Sequence, residues 1–96
     1  MVTIVAKQTV QQNSVAPFIE IARQLVAATR QLDGGCLHYD LFQDTHQPEV
    51  LTFIEGWESQ AALDAHMASA HFKPLFPQLQ ALCAAPGEIA IYQKVE

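Results

Sequence analysis

The stretch Cys36–Trp57, CLHYDLFQDTHQPEVLTFIEGW, decides the fold. It holds two runs of strand-forming residues, Cys36–Asp44 (CLHYDLFQD) and Val50–Trp57 (VLTFIEGW), rich in aromatic, aliphatic and β-branched side chains. Between them lies Thr45–Glu49 (THQPE), a polar, proline-containing segment that reads as the loop closing a hairpin.

Toward the N-terminus, Asp33-Gly34-Gly35 stops a helix, because glycine takes positive φ at little cost. That helix is read from Phe18, Ile21, Ala22, Leu25, Val26, Thr29 and Leu32, which recur at three- and four-residue intervals as one apolar stripe. Asn13 or Ser14 is expected to cap its start, and Pro17 sits in the first turn, where a missing N–H costs little. Met1–Val10, β-branched and free of Pro and Gly, reads as the first strand.

Toward the C-terminus, Ser59 caps a helical run, Gln60–His66. Ala68-Ser69-Ala70 interrupts it, and Phe72, Leu75, Phe76, Leu79 and Leu82 resume helical spacing to about Ala84. Pro74 suits an early position in this second piece, whereas Pro77 predicts a kink or a later start. Ala85-Pro86-Gly87 is a turn and Glu88–Val95 a last strand. The order β-α-β-β-α-(α)-β is the split βαβ plan of the ferredoxin-like fold, an α+β architecture with helices on one face of a four-stranded antiparallel sheet. All 96 residues are read as a single domain.

Composition agrees with a folded chain: half of the residues are hydrophobic and 16% are charged. The formal charge is −5, and the five basic residues (Lys7, Arg23, Arg30, Lys73, Lys94) are scattered, so no basic stripe is available for nucleic acid. No apolar run approaches the ~20 residues of a membrane span, and no signal segment is visible. Cys36 and Cys83 form no CxxC pair and are read as reduced thiols, which places the protein in the cytoplasm.

The strands are apolar on both faces. Alternation puts Leu37, Tyr39 and Leu41 on one side of the second strand and Cys36, His38 and Phe42 on the other. In the third strand it separates Val50, Thr52 and Ile54 from Leu51, Phe53 and Trp57. Helices cover only one of these faces, and the other would be a large sticky patch. A homodimer with the two sheets face to face, forming a barrel-like core, removes the problem; the alternative is a monomer with an unusually apolar surface.

Two segments carry a family resemblance. Ile54-Glu55-Gly56-Trp57-Glu58-Ser59-Gln60-Ala61-Ala62-Leu63-Asp64-Ala65-His66, followed by Ser69-Ala70-His71-Phe72-Lys73, resembles the signature of the antibiotic biosynthesis monooxygenase (ABM) domain, and so does Asp33-Gly34-Gly35-Cys36-Leu37-His38-Tyr39-Asp40. The nearest subgroup is the small bacterial quinol monooxygenases. The resemblance implies a dimeric α+β barrel, a pocket between each sheet and its helices, and oxygenation of a quinol-like aromatic by O2 without cofactor. Two departures matter. In the polyketide-tailoring branch an Asn and a Tyr accompany the Trp in catalysis, and Phe53 and Leu63 occupy those positions here. In the haem-degrading branch His66 falls where that branch has its Trp and Phe76 where it has its histidine ligand, which disfavours haem degradation.

His66 is the first candidate for chemistry: an imidazole at neutral pH can deprotonate a phenol or orient it, or it can merely close the helix end. His71, five residues on, turns away from His66 on a continuous helix, but the Ala68-Ser69-Ala70 break can reunite them; capping the next helix is its bland role. Trp57 offers a stacking wall for a planar aromatic and an indole N–H that can donate, which makes it the candidate catalytic partner of His66, or it is a core anchor. Tyr39, Phe53, Leu63, His71, Phe72 and Phe76 line the substrate pocket in this reading, although the spacing of the aromatics already fits burial. Cys36, His38 and Asp40 alternate on one strand but match no metal-ligand signature, and no metal is expected. Two rival functions remain open: an oxygen-independent isomerase of a small carbonyl metabolite, using the same A-H…H-F segment for proton transfer, and a non-catalytic binder of an aromatic metabolite.

Overall fold

In the computed structural model, which describes residues 1–96, the β-branched opening forms β1 (Val2–Thr9) and the apolar stripe forms α1 (Val15–Leu32). The hairpin follows as β2 (Cys36–Gln43) and β3 (Val50–Trp57), then α2 (Gln60–Met67), α3 (Phe72–Ala81) and β4 (Glu88–Gln93). The sheet order is β2-β3-β1-β4, with every neighbouring pair antiparallel. This is the α+β, ferredoxin-like arrangement that the element order predicts. No helix is long and apolar enough to cross a membrane.

Register decides which side chains meet the helices. Ile4 pairs with Glu55 and Ala6 with Phe53, while Tyr39 and Leu41 pair with Glu55 and Phe53 from the other side, so all six point to one face. Onto that face α1 lays Phe18, Ala22, Leu25 and Thr29, all fully buried. Burying a side chain the size of Phe18 or Leu25 contributes ~1.5–3 kcal/mol, which is what holds α1 on the sheet. The opposite face carries Val5, Ile54, Phe42 and Tyr92, with Phe42 52% and Tyr92 56% exposed.

Several local expectations are corrected. Neither Asn13 nor Ser14 caps α1 through its side chain. A 3-10 turn over Gln12–Ser14 leads in instead, its Ser14 amide donating to the Gln11 carbonyl at 2.8 Å. Leu32 leaves the apolar stripe, 65% exposed, because the helix ends there and nothing lies beneath it. In β2 the register slips between Cys36 and His38. Leu37 bulges outward, half exposed, and Cys36 turns to the core side opposite Trp57. The extra residue breaks the alternation, so Cys36, His38 and Asp40 do not share one face. α3 starts at Phe72, passes through Pro77 and ends at Ala81, not Ala84. The amide that Pro77 lacks would have met the carbonyl of Lys73, an exposed residue whose carbonyl water can serve.

Candidate active site

The site begins where α1 stops. The Asp33 amide closes the last turn on the Thr29 carbonyl at 3.0 Å, and Asp33 itself is extended. Gly35 then takes φ +83°, and a β-carbon there would strike Ala62 of α2, so only glycine permits the approach. The Glu58 amide donates to the Gly35 carbonyl at 2.8 Å. These contacts clamp the α1–β2 turn against the start of α2, where Ser59 caps the helix by accepting from the Ala62 amide at 3.1 Å.

α2 turns Leu63 and His66, three residues apart, toward the sheet. His66 Nδ1 lies 2.6 Å from Asp33 Oδ2. The same oxygen lies 3.0 Å from His71 Nε2. The break after α2 therefore does bring the two histidines together, through a residue 33 positions upstream of His66. His71 does not cap α3; Ser69 Oγ accepts from the Phe72 amide at 3.1 Å and leaves the imidazole free to reach Asp33.

A carboxylate only accepts hydrogen bonds, so Asp33 places the proton of a neutral His66 on Nδ1. Nε2 is then a lone pair, and it is buried with no partner in the chain. Three rings hold the imidazole in place: Trp57 at 4.7 Å, Phe72 at 4.8 Å and Tyr39 at 5.2 Å between centroids. Burial pulls the His66 pKa below its ordinary value of 6.5, against the opposing pull of Asp33. The ring is neutral at pH 7 and ready to accept a proton.

His66 lines a cavity of about 210 Å³ between sheet and helices. Of the residues singled out in sequence, Tyr39, Phe53, Leu63, Phe72 and Phe76 line it too; Trp57 and His71 do not. Trp57 is fully buried behind His66, so its ring backs the imidazole and offers no stacking wall. The mouth is marked by Met67, Ile89 and Ile91, which are 45%, 58% and 59% exposed. A larger groove of about 460 Å³ runs between α1 and β2, but it is open, and its Arg30 is committed to Asp40 at 2.6 Å.

Sequence reading passed over two residues. Asp33 was only a helix stop, and nothing local reveals its partners. Glu55 lines the cavity at 6% exposure, and the Trp57 indole N–H donates to its Oε1 at 3.0 Å. Burial pushes the Glu55 carboxyl up to about 7, outweighing the Trp57 hydrogen bond. Burial, and then the charge of Glu55, also pushes the Tyr39 phenol well above its ordinary value. A signal for Glu55 existed: in VLTFIEGW it is the one charged residue, and it alternates with Phe53 and Trp57 on the core side.

Asp33, His66 and His71 also form the chain's one cluster of potential metal ligands, with donor atoms within 4.8 Å of one another. The spacing suits hydrogen bonds better. A tetrahedral zinc ion holds neighbouring ligand atoms ~3.3 Å apart, and both contacts to Asp33 would have to lengthen. Cys36 and Cys83 are free thiols, and burial raises both pKa values, which makes neither a ready nucleophile.

The fold has counterparts. An uncharacterized protein of Synechocystis is 30% identical over 82% of this chain, which spans only 53% of that protein. A conserved protein from Methanosarcina mazei superposes with a TM-score of 0.93 at 35% identity, over 97% of this chain and 91% of the other. A crystal structure described as an antibiotic biosynthesis monooxygenase superposes with a TM-score of 0.95 at 34% identity, over the full length of both. The family model for antibiotic biosynthesis monooxygenase matches residues 1–77, a span that contains Asp33, Glu55, His66 and His71. The chain belongs to the antibiotic biosynthesis monooxygenase family.

Proposed function

We propose that this protein is a monooxygenase that hydroxylates a quinol or a related electron-rich aromatic with O2, using no metal or organic cofactor. One observation carries the proposal: a buried, unpartnered His66 Nε2, whose tautomer Asp33 sets, in a residue that lines an apolar cavity. Such a nitrogen can take a phenolic proton without prior desolvation. The resulting quinolate is electron-rich enough to give one electron to O2, and the radical pair closes a C–O bond to form a ring hydroperoxide. Loss of water then gives the hydroxylated quinone, so one quinol and one O2 yield one hydroxyquinone and one water. At about 210 Å³ the cavity is smaller than the ~300 Å³ of typical ligand pockets, which favours one- or two-ring substrates. In this reading His66 is the base, Tyr39, Phe53, Leu63, Phe72 and Phe76 shape the pocket, and Trp57 and His71 are positioning residues.

We also propose that the outer face of the sheet, with Val5, Ile54, Phe42 and Tyr92, pairs two copies of the chain. The test of function is oxygen uptake by chelator-treated protein with one- and two-ring quinols, run beside non-enzymatic autoxidation and His66→Ala. Uptake above background that the variant loses supports the proposal. Turnover of a carbonyl substrate under anaerobic conditions would replace it with the isomerase. Ligand affinity without turnover would replace it with the non-catalytic binder.

A further inference from the structure

Oxygenation needs a proton donor as well as a base. We propose that Glu55 is the general acid of this cavity, delivering a proton to the oxygen atom that leaves as water. The inference rests on the oxygenation reading.

β3 carries Glu55 inward between Phe53 and Trp57, and Glu55 lines the same cavity as His66. The Trp57 indole engages only Oε1, leaving Oε2 without a protein partner. A carboxyl set among Ile4, Leu25, Phe72 and Ile91, with no Lys or Arg on the cavity wall, has nothing to stabilise a negative charge except one indole N–H. The titratable groups that share its surroundings are Tyr39 and Cys36 on β2, both pushed up in part by the Glu55 charge, and His66 on α2, which lines the same cavity. β1, β4, α1 and α3 present only apolar side chains to the cavity. Burial raises the carboxyl to about 7 and lowers His66 below 6.5, so near neutral pH a carboxyl that still holds part of its proton shares the cavity with a base in its free form. Two groups whose environments push their pKa values apart in this way can divide acid and base roles.

The proton count closes. His66 takes the phenolic proton and returns it to the peroxide formed on the ring carbon. Glu55 protonates the distal oxygen as the O–O bond breaks, and water leaves. The proton released from the same ring carbon as its C=O bond forms restores the carboxyl. Without the donor, the hydroperoxide departs as hydrogen peroxide and leaves an unhydroxylated quinone, which also balances.

Trp57 is the only tryptophan, and its indole touches the carboxyl, so its emission reports Glu55 directly. The experiment compares wild type with Glu55→Gln, a near-isostere whose folding is checked by circular dichroism. Wild-type emission is expected to show a transition near pH 7 that Glu55→Gln lacks, with His66→Gln removing a separate transition at lower pH. With an accepted quinol, Glu55→Gln is expected to form hydroxyquinone roughly 100-fold more slowly and to release the oxygen it consumes as hydrogen peroxide. A variant that hydroxylates at the wild-type rate, or emission with no Glu55-dependent transition, overturns the assignment. If the wild-type protein consumes no oxygen with any quinol, the oxygenation reading falls by itself. The emission titration then decides whether Glu55 holds a proton in the cavity.

Discussion

Replacing Glu55 with glutamine tests the electrostatics of the cavity without any substrate. The carboxyl ionises at 4.5 in an ordinary setting and at about 7 when buried here. Between those values the unfolded chain has released the proton that the folded chain still holds. Stability from this group is therefore fully present below pH 4.5 and is lost as pH rises through 7. At roughly 1.4 kcal/mol per pH unit, the cost of ionising Glu55 in place is about 3 kcal/mol. That is a large share of the ~5–15 kcal/mol that holds a domain folded. Urea unfolding of both proteins at pH 5 and pH 8 isolates the term, since every other titrating group is common to the two. Wild type is expected to lose about 2.5 kcal/mol relative to Glu55→Gln between these pH values, since part of the effect is already present at pH 5. Parallel stability curves would refute the reasoning, because Glu55 would then be as well solvated folded as unfolded.

Asp33→Asn removes the acceptor shared by two imidazoles and lets His66 adopt either tautomer; the rate of quinol oxidation is expected to fall roughly 100-fold or more, measured as oxygen uptake. The buried hydroxyl of Thr29 has no partner, so Thr29→Val is expected to stabilise the fold by about 1 kcal/mol in urea unfolding. Activity is expected to follow a bell against pH, with the acid limb from His66 below 6.5 and the alkaline limb from Glu55 near 7; Glu55→Gln removes the alkaline limb from the residual rate. Phe42→Glu combined with Tyr92→Glu places charge on the outer face, and sedimentation is expected to show a dimer replaced by monomer.

Much of the candidate site was legible as residue types. Tyr39, Phe53, Leu63, Phe72 and Phe76 are named as pocket residues through the family resemblance, their spacing alone giving burial, and His66 stands out in the same signature as an ionisable group near a helix end. The parts that were not legible depend on long reach. Asp33 joins His66 and His71 only because Gly35 lets one turn press against Ala62. Trp57 looked like a pocket wall, but its place behind His66 follows from the depth of the core at the end of β3. The Leu37 bulge inverted the expected faces at the start of β2, and one inserted residue leaves no clear mark in composition.

The sequence by itself determined the element order, the antiparallel α+β plan and the apolar face that α1 covers. These depend on hydrophobic period, turn residues and caps, which act over a few residues. Tertiary structure decided which nitrogen of His66 is free, which carboxylate sets it, and that burial raises the Glu55 carboxyl. Those properties depend on desolvation and on contacts between residues more than thirty positions apart, and only the closed core brings them into being.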